Sequence, residues 1–214
     1  MDSKHDSKHD SKHQADYLFR REDESPDALF YRQPRFETHI DDATIEALTR
    51  VYLEFLLPGT DILDLMSSWI SHLPMDTVYN RVAGLGMNQQ ELRANPRLDD
   101  FVVHDLNESP YLPYEPGSFD AVVIAVSVQY LIKPYQVFRS IAEVLKPGGI
   151  CIVSISHRLF PSKAIQAFFT LPLPARGELV ESYCVATGCF ESTRVIDRSP
   201  HGADPLWVVV ARRV

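Results

Sequence analysis

The sequence predicts an α/β fold, a mostly parallel sheet covered by helices on both faces, and three observations carry that prediction. The stretch FDAVVIAVS from Phe119 is a near-continuous apolar run, as a strand buried on both faces requires. It is followed by a segment opening at Pro134, in which Val137, Phe138, Ile141, Ala142, Val144 and Leu145 give a wide apolar helical face. Lys146-Pro147-Gly148-Gly149 then ends that helix in a sharp turn before the strand Ile150 to Ile155, completing one right-handed crossover unit. Finally, Phe190 to Asp197 and Leu206 to Arg212 are two strands with no helix between them, so they pair antiparallel.

A chain of 214 residues, 45% of them hydrophobic, suffices for one domain with an appendage and a full core. The net charge of −8 leaves no broad basic face for nucleic acid, which favours a small-molecule or protein substrate. The three cysteines, Cys151, Cys184 and Cys189, lack CxxC spacing, so neither a disulfide framework nor a metal site is expected. The longest apolar runs are too short to span a bilayer and the N-terminus has no apolar signal core, which predicts a cytoplasmic protein without membrane partners.

In chain order, residues 1–16 hold three Asp-Ser-Lys-His copies and are expected to form a disordered tail. Residues 17–60 form a cap in which Phe30, Tyr31, Phe36 and His39 crowd together ahead of a helix. Asp41 or Asp42 caps this helix, Ile45, Leu48, Tyr52, Phe55 and Leu56 form its apolar face, and Pro58-Gly59 stops it. Residues 61–214 form the main domain. Its first and central strand opens DILDLMSSWISHLP, with Asp64 near the carboxyl end. The first crossover is expected to be irregular, because Ser71 to Asp76 is short and broken by Pro74. Asn80 to Leu85 is the second strand, a helix runs from near Gln89 to Pro96, and Asp100 to His104 is the third strand with Asp105 at its end. Lys163 to Phe169 reads as a short helix, LPLPARG as a proline-rich break, and Glu178 to Thr187 as a helix closed by Gly188.

The stretch SFDAVVIAVSVQYLIKPYQVFRSIAEVLKPGGICIVSI resembles the second half of a class I S-adenosylmethionine-dependent methyltransferase domain, methyltransferase type 11-like. Ser118-Phe119-Asp120 and Leu145 to Gly149 carry the likeness, which extends from about Asp61 to the end. It implies a Rossmann-like three-layer sandwich whose seven-stranded sheet is parallel except for its last strand, and S-adenosylmethionine as cofactor. Asp64 and Leu65 match the start of the family's first motif, but Met66, Ser68 and Ile70 stand where its glycines belong, so Ser67 and Ser68 would hold the cofactor's amino-acid end by their hydroxyls. Gly86 occupies the position of the ribose-binding acid, with Asn88 the nearest substitute. Asp105 matches the acid that receives the adenine amino group, with Leu106 beside the ring, and Ser127 to Tyr130 line the methyl-transfer channel. The serine-tryptophan-histidine turn, which includes His72, also resembles that of a subgroup whose substrates are unknown.

The resemblance implies methyl transfer to a small-molecule acceptor, with His39, Tyr130 and His157 as candidate general bases on the substrate side. A non-catalytic methyltransferase-like domain serving as a binding or regulatory module is the alternative, motivated by the missing glycines and ribose acid. GxSxG is absent, which argues against hydrolase chemistry.

Overall fold

The computed structural model describes residues 17–214, so the tail predicted for residues 1–16 lies outside the described residues. Seven strands form one sheet in the order β3-β2-β1-β4-β5-β7-β6. They are β1 (Asp61–Leu65), β2 (Arg81–Gly86), β3 (Asp100–Val103), β4 (Phe119–Ala125), β5 (Leu145–Ile155), β6 (Phe190–Asp197) and β7 (Trp207–Arg213). The first five run parallel, and β7, last in the chain, lies antiparallel to both β5 and β6. The Rossmann-like three-layer fold is therefore present, with the reversed strand where it was expected.

Helices cover both faces because the central strands are apolar on both. On one face α2 (Asp42–Phe55) buries Leu48, Val51 and Tyr52 against Ile62, Val123 and Val208. Asp41 caps it, its side chain accepting from the Thr44 amide at 2.9 Å. On the other face α4 (Pro134–Val144) buries Val137, Phe138 and Ile141 completely, each contributing about 1.5–3 kcal/mol by transfer from water. Helix α6 (Leu173–Thr187) joins it there through Val180, Tyr183 and Cys184. Among the described residues there are also three short α-helices, α1 (Asp27–Phe30), α3 (Gln89–Ala94) and α5 (Ala167–Thr170). No helix links β1 to β2, as the Pro74 break anticipated.

Three boundaries differ from the sequence reading. LKPGG is already part of β5, where Leu145 pairs with Phe119 ahead of a register shift. The proline-rich break is in fact the start of α6, with Pro172 as its N-cap and Pro174 in its first turn, where a missing amide N–H has no intrahelical partner to lose. The helix expected from Lys163 begins only at Ala167, and Lys163 is instead a fully buried cation.

Candidate functional site

The carboxyl ends of β1 to β4 open into one cleft with about 1090 Å³ of empty volume, open mouth included. It lies where strand order reverses, with β1 flanked by β2 and β4, the place where open α/β sheets bind ligands. The turn after β1 forms the floor through Met66, Ser68 and Ile70. Gly86, Asp105 and Leu106 form one wall, Ser127 and Tyr130 the opposite wall, and Tyr31, Arg35 and His39 of the N-terminal cap the roof. Every site residue expected from the sequence lines this cleft except His157. That side chain is exposed and faces Asp204 at 3.5 Å, because the loop after β5 turns it toward the N-cap of α2.

The floor holds its shape through side chains in the absence of glycines. Asp64 is 2% exposed, and its Oδ2 accepts from the hydroxyls of Ser67 and Ser71, each at 2.6 Å. Asn95 braces the same turn, its Nδ2 donating to Ser71 Oγ at 2.8 Å and to the Ser68 carbonyl at 2.9 Å. Met66 and His72, with φ of 59° and 55°, mark where the backbone bends through the left-handed region that glycine usually fills. The Ser67 hydroxyl is thus turned inward to Asp64, contrary to the expected contact with a ligand.

Asn88 is also occupied. Its Oδ1 accepts from the amides of Gln90 and Glu91 as the N-cap of α3, while its Nδ2 donates to the carbonyls of Tyr31 and Arg32. It fastens the cap to the sheet and has no group left to substitute for an acid. Such an acid is sterically excluded at Gly86 itself, where a Cβ would stand 2.2 Å from the Ser67 carbonyl oxygen.

Other polar groups do await a partner. Asp105 accepts through Oδ1 from the amides of Asn107 at 2.8 Å and Glu108 at 3.3 Å, and its second oxygen has no hydrogen bond among the described residues. Ser127 Oγ and His72 Nδ1 are buried at the cleft without partners, the condition a bound polar ligand relieves.

A buried charge cluster holds the roof in place. Asp27 accepts from Arg21 at 2.7 Å and from Asn107 at 2.8 Å and lies 3.3 Å from Lys163 Nζ. Lys163 also reaches Asp23 at 2.9 Å and donates to the Ser25 carbonyl at 2.7 Å. Above the cleft, Phe160 stacks on Tyr130 and meets His39 edge-on at 5.1 Å, while the Arg35 guanidinium lies 4.3 Å over Phe30. Neither Asp27 nor Lys163 stood out in the sequence, nor did Glu91, which is 8% exposed and lines the cleft from α3. An Asn three residues ahead of a Glu at a helix start was the available signal for that corner.

Burial sets the titration of the floor. It pushes Asp64 up to about 6, opposed by the hydroxyls of Ser67 and Ser71, and pushes His72 down to about 4, helped by repulsion from His39. His39 is lowered by burial, and the Tyr130 hydroxyl is raised to about 12, again by burial. The two floor groups have opposite linkage. Asp64 destabilises the fold as pH rises from its unfolded pKa near 4 through 6, whereas His72 destabilises it as pH falls from about 6.5 through 4, each by on the order of 3 kcal/mol. In the parent protein the two trends offset one another. Asp64→Asn is expected to unmask the histidine, giving a stability that rises between pH 4.5 and 6.5 in urea denaturation; a flat profile for this variant would contradict the assignment.

Among the described residues no helix is long and apolar enough to cross a membrane, and no three His, Cys, Asp or Glu side chains are placed to hold a metal ion.

A family profile described as "Methyltransferase domain" matches residues 68–153. The chain is similar to 27-O-demethylrifamycin SV methyltransferase of Amycolatopsis mediterranei (strain S699), 35% identical over 74 residues, covering 32% of this chain and 27% of that protein. It is similar also to Methyltransferase GfsG of Streptomyces halstedii, 29% identical over 126 residues, covering 55% of this chain and 45% of that one. It thus spans less than half the length of these curated relatives. Among solved structures, the [4+2]-cyclase SpnF superposes with a TM-score of 0.60 at 18% identity, over 84% of this chain and 88% of that one. An S-adenosylmethionine-dependent methyltransferase from Mesorhizobium loti does so with a TM-score of 0.55 at 17% identity, over 78% and 98%. These two likenesses show the fold.

Proposed function

We propose that this chain, which belongs to the class I S-adenosylmethionine-dependent methyltransferase superfamily, binds S-adenosylmethionine in the cleft and transfers its methyl group to a small-molecule acceptor. One observation carries the reading: the cleft at the switch point of the sheet gathers Asp105, Leu106, Ser68 and Ser127 around unsatisfied polar atoms. The names of the two curated relatives and the net charge of −8 support methyl transfer to a small acceptor.

The residues present fit the cofactor. The unpartnered oxygen of Asp105 would receive the adenine amino group with Leu106 against the ring, and Ser127 and Ser68 would serve the amino-acid end. Bound there, the cofactor supplies an electrophilic methyl group on a sulfonium, and the protein's part is orientation and a dry site. His39 is the base we favour. Burial keeps it neutral near pH 7, so it can take the proton an acceptor hydroxyl or amine loses. Tyr130 stays protonated at that pH, and its hydroxyl oxygen accepts from the Phe160 amide at 2.9 Å, holding the loop above the cleft. Arg35 and Phe160 close the roof and exclude water.

The occupied Asn88 and side-chain-free Gly86 favour a second reading, a binding or regulatory module without catalysis. Titration calorimetry separates binding from its absence. S-adenosylhomocysteine is expected to bind in the micromolar range and Asp105→Ala to weaken it about tenfold. No heat at millimolar ligand would remove the methyl-transfer reading.

A further inference from the structure

The geometry points to Glu91 as the carboxylate that reads the vicinal hydroxyls of the bound nucleoside, reaching the cleft from the first turn of α3; this rests on the cofactor reading above. A ribose diol is two adjacent donors, and an ionised carboxylate with a vacant acceptor position is the group that holds it best. Five carboxylates line the cleft among the described residues, and four are disposed otherwise. Asp27 is enclosed by Arg21, Lys163 and Asn107. Asp64 lies under the floor, satisfied by two serine hydroxyls. Glu37 is exposed on the roof, and Asp105, past the end of β3, is the carboxylate already assigned to the adenine amino group.

Glu91 remains, only 8% exposed, with Oε1 accepting from the Arg35 amide at 2.7 Å. Glu91 lines the cleft with the Ser68 hydroxyl beside its carboxyl group, and among the described residues Oε2 accepts no hydrogen bond. The backbone explains why a helix must deliver this group. Because the Ser67 carbonyl presses on Gly86, the end of β2 cannot carry a side chain, and the next carboxylate along the chain on that wall is Glu91. One oxygen then fastens the roof at Arg35 while the other reads the sugar, so the nucleoside and the N-terminal cap share one anchor.

The test is a cycle of two ligands on two proteins by calorimetry, using S-adenosylhomocysteine and its 2′-deoxy analogue. Wild type is expected to lose about tenfold in affinity for the deoxy ligand. Glu91→Gln, whose amide oxygen can still accept from Arg35, should lose about tenfold for the ribose ligand yet bind the deoxy analogue as wild type does. Asp105→Ala is the control, weakening both ligands alike. If Glu91→Gln weakens both equally, or if wild type binds S-adenosylhomocysteine without discriminating the deoxy form, Glu91 does not read the diol and the cofactor reading still stands. If wild type binds neither ligand, both proposals fall. A Glu91→Gln protein that does not fold is replaced by Glu91→Asp, for which the same loss of discrimination is expected and retained full discrimination overturns the assignment.

Discussion

Asp27→Ala is expected to destabilise the protein by about 3–5 kcal/mol, because it leaves the buried Arg21 guanidinium without its carboxylate. Arg21 and Asp27 have side chains only 4% exposed, and Lys163 is wholly buried. Removing the carboxylate strands the Arg21 guanidinium and takes one of two acids from Lys163, leaving Asp23 as its counter-charge. Asp23 is held well below the usual carboxylate range, first by the Ser25 hydrogen bond and then by Lys163, so it remains ionised but cannot replace the pairing with Arg21. Asn107 loses the same acceptor, which loosens the loop after β3. Urea denaturation followed by tryptophan fluorescence measures the loss, and limited proteolysis should show cleavage within residues 20–40 before the core is lost. A change below 1 kcal/mol would mean the cluster does not hold the roof. Replacing Asp27, Arg21 and Lys163 together with apolar residues of similar size should recover much of the stability, since the cost lies in the unpaired charge.

Restoring an acid at the end of β2 should be harmful. Gly86→Asp is expected to cost about 1–3 kcal/mol or more and to abolish S-adenosylhomocysteine binding, because its Cβ would need the space within 2.2 Å of the Ser67 carbonyl oxygen. The obstruction is backbone, and that backbone is tied on both sides: the Ser67 amide donates to the Leu85 carbonyl at 2.8 Å and the Ser67 hydroxyl to Asp64. Gly84, two residues earlier, makes the comparison. The nearest atoms a Cβ there would meet belong to the Leu98 side chain, which can move, so Gly84→Ala should be milder in the same denaturation assay. A Gly86→Asp protein that folds normally and binds more tightly would show that the floor can shift.

What could be read from sequence was what local pattern determines. The strands around Phe119 to Ile155 are apolar because both faces are covered, and the two closing strands pair antiparallel for want of a crossover, so the topology followed. Asp64 and Asp105 were found because strand ends are legible positions. Asn88 was misjudged for lack of context: an N-cap side chain is already engaged, and the roof that takes its amide group arrives from 57 residues earlier. Glu91, Asp27 and Lys163 escaped for the same reason. A charged residue on a short helix or in a loop looks solvated until distant partners bury it, and the Lys163 to Asp23 contact spans 140 residues. The helical start of LPLPARG was missed because prolines were read as a break when they fall in the first turn.

That last separation bears on how the protein is made. The segment from Arg21 to His39 is made before any strand of the sheet, but Lys163, which ties it down, is synthesised 140 residues after Asp23. At about 5–20 residues per second this is an interval on the order of ten seconds. During it Phe30 lacks Phe160 and Lys163 to pack against, although Trp69 and Asn88, the partners of Phe36 and Tyr31, are already made. The roof therefore receives its Phe160 and Lys163 contacts only after strands β1 to β5 have been translated, and until then it is held to the sheet at its Asn88 and Trp69 end.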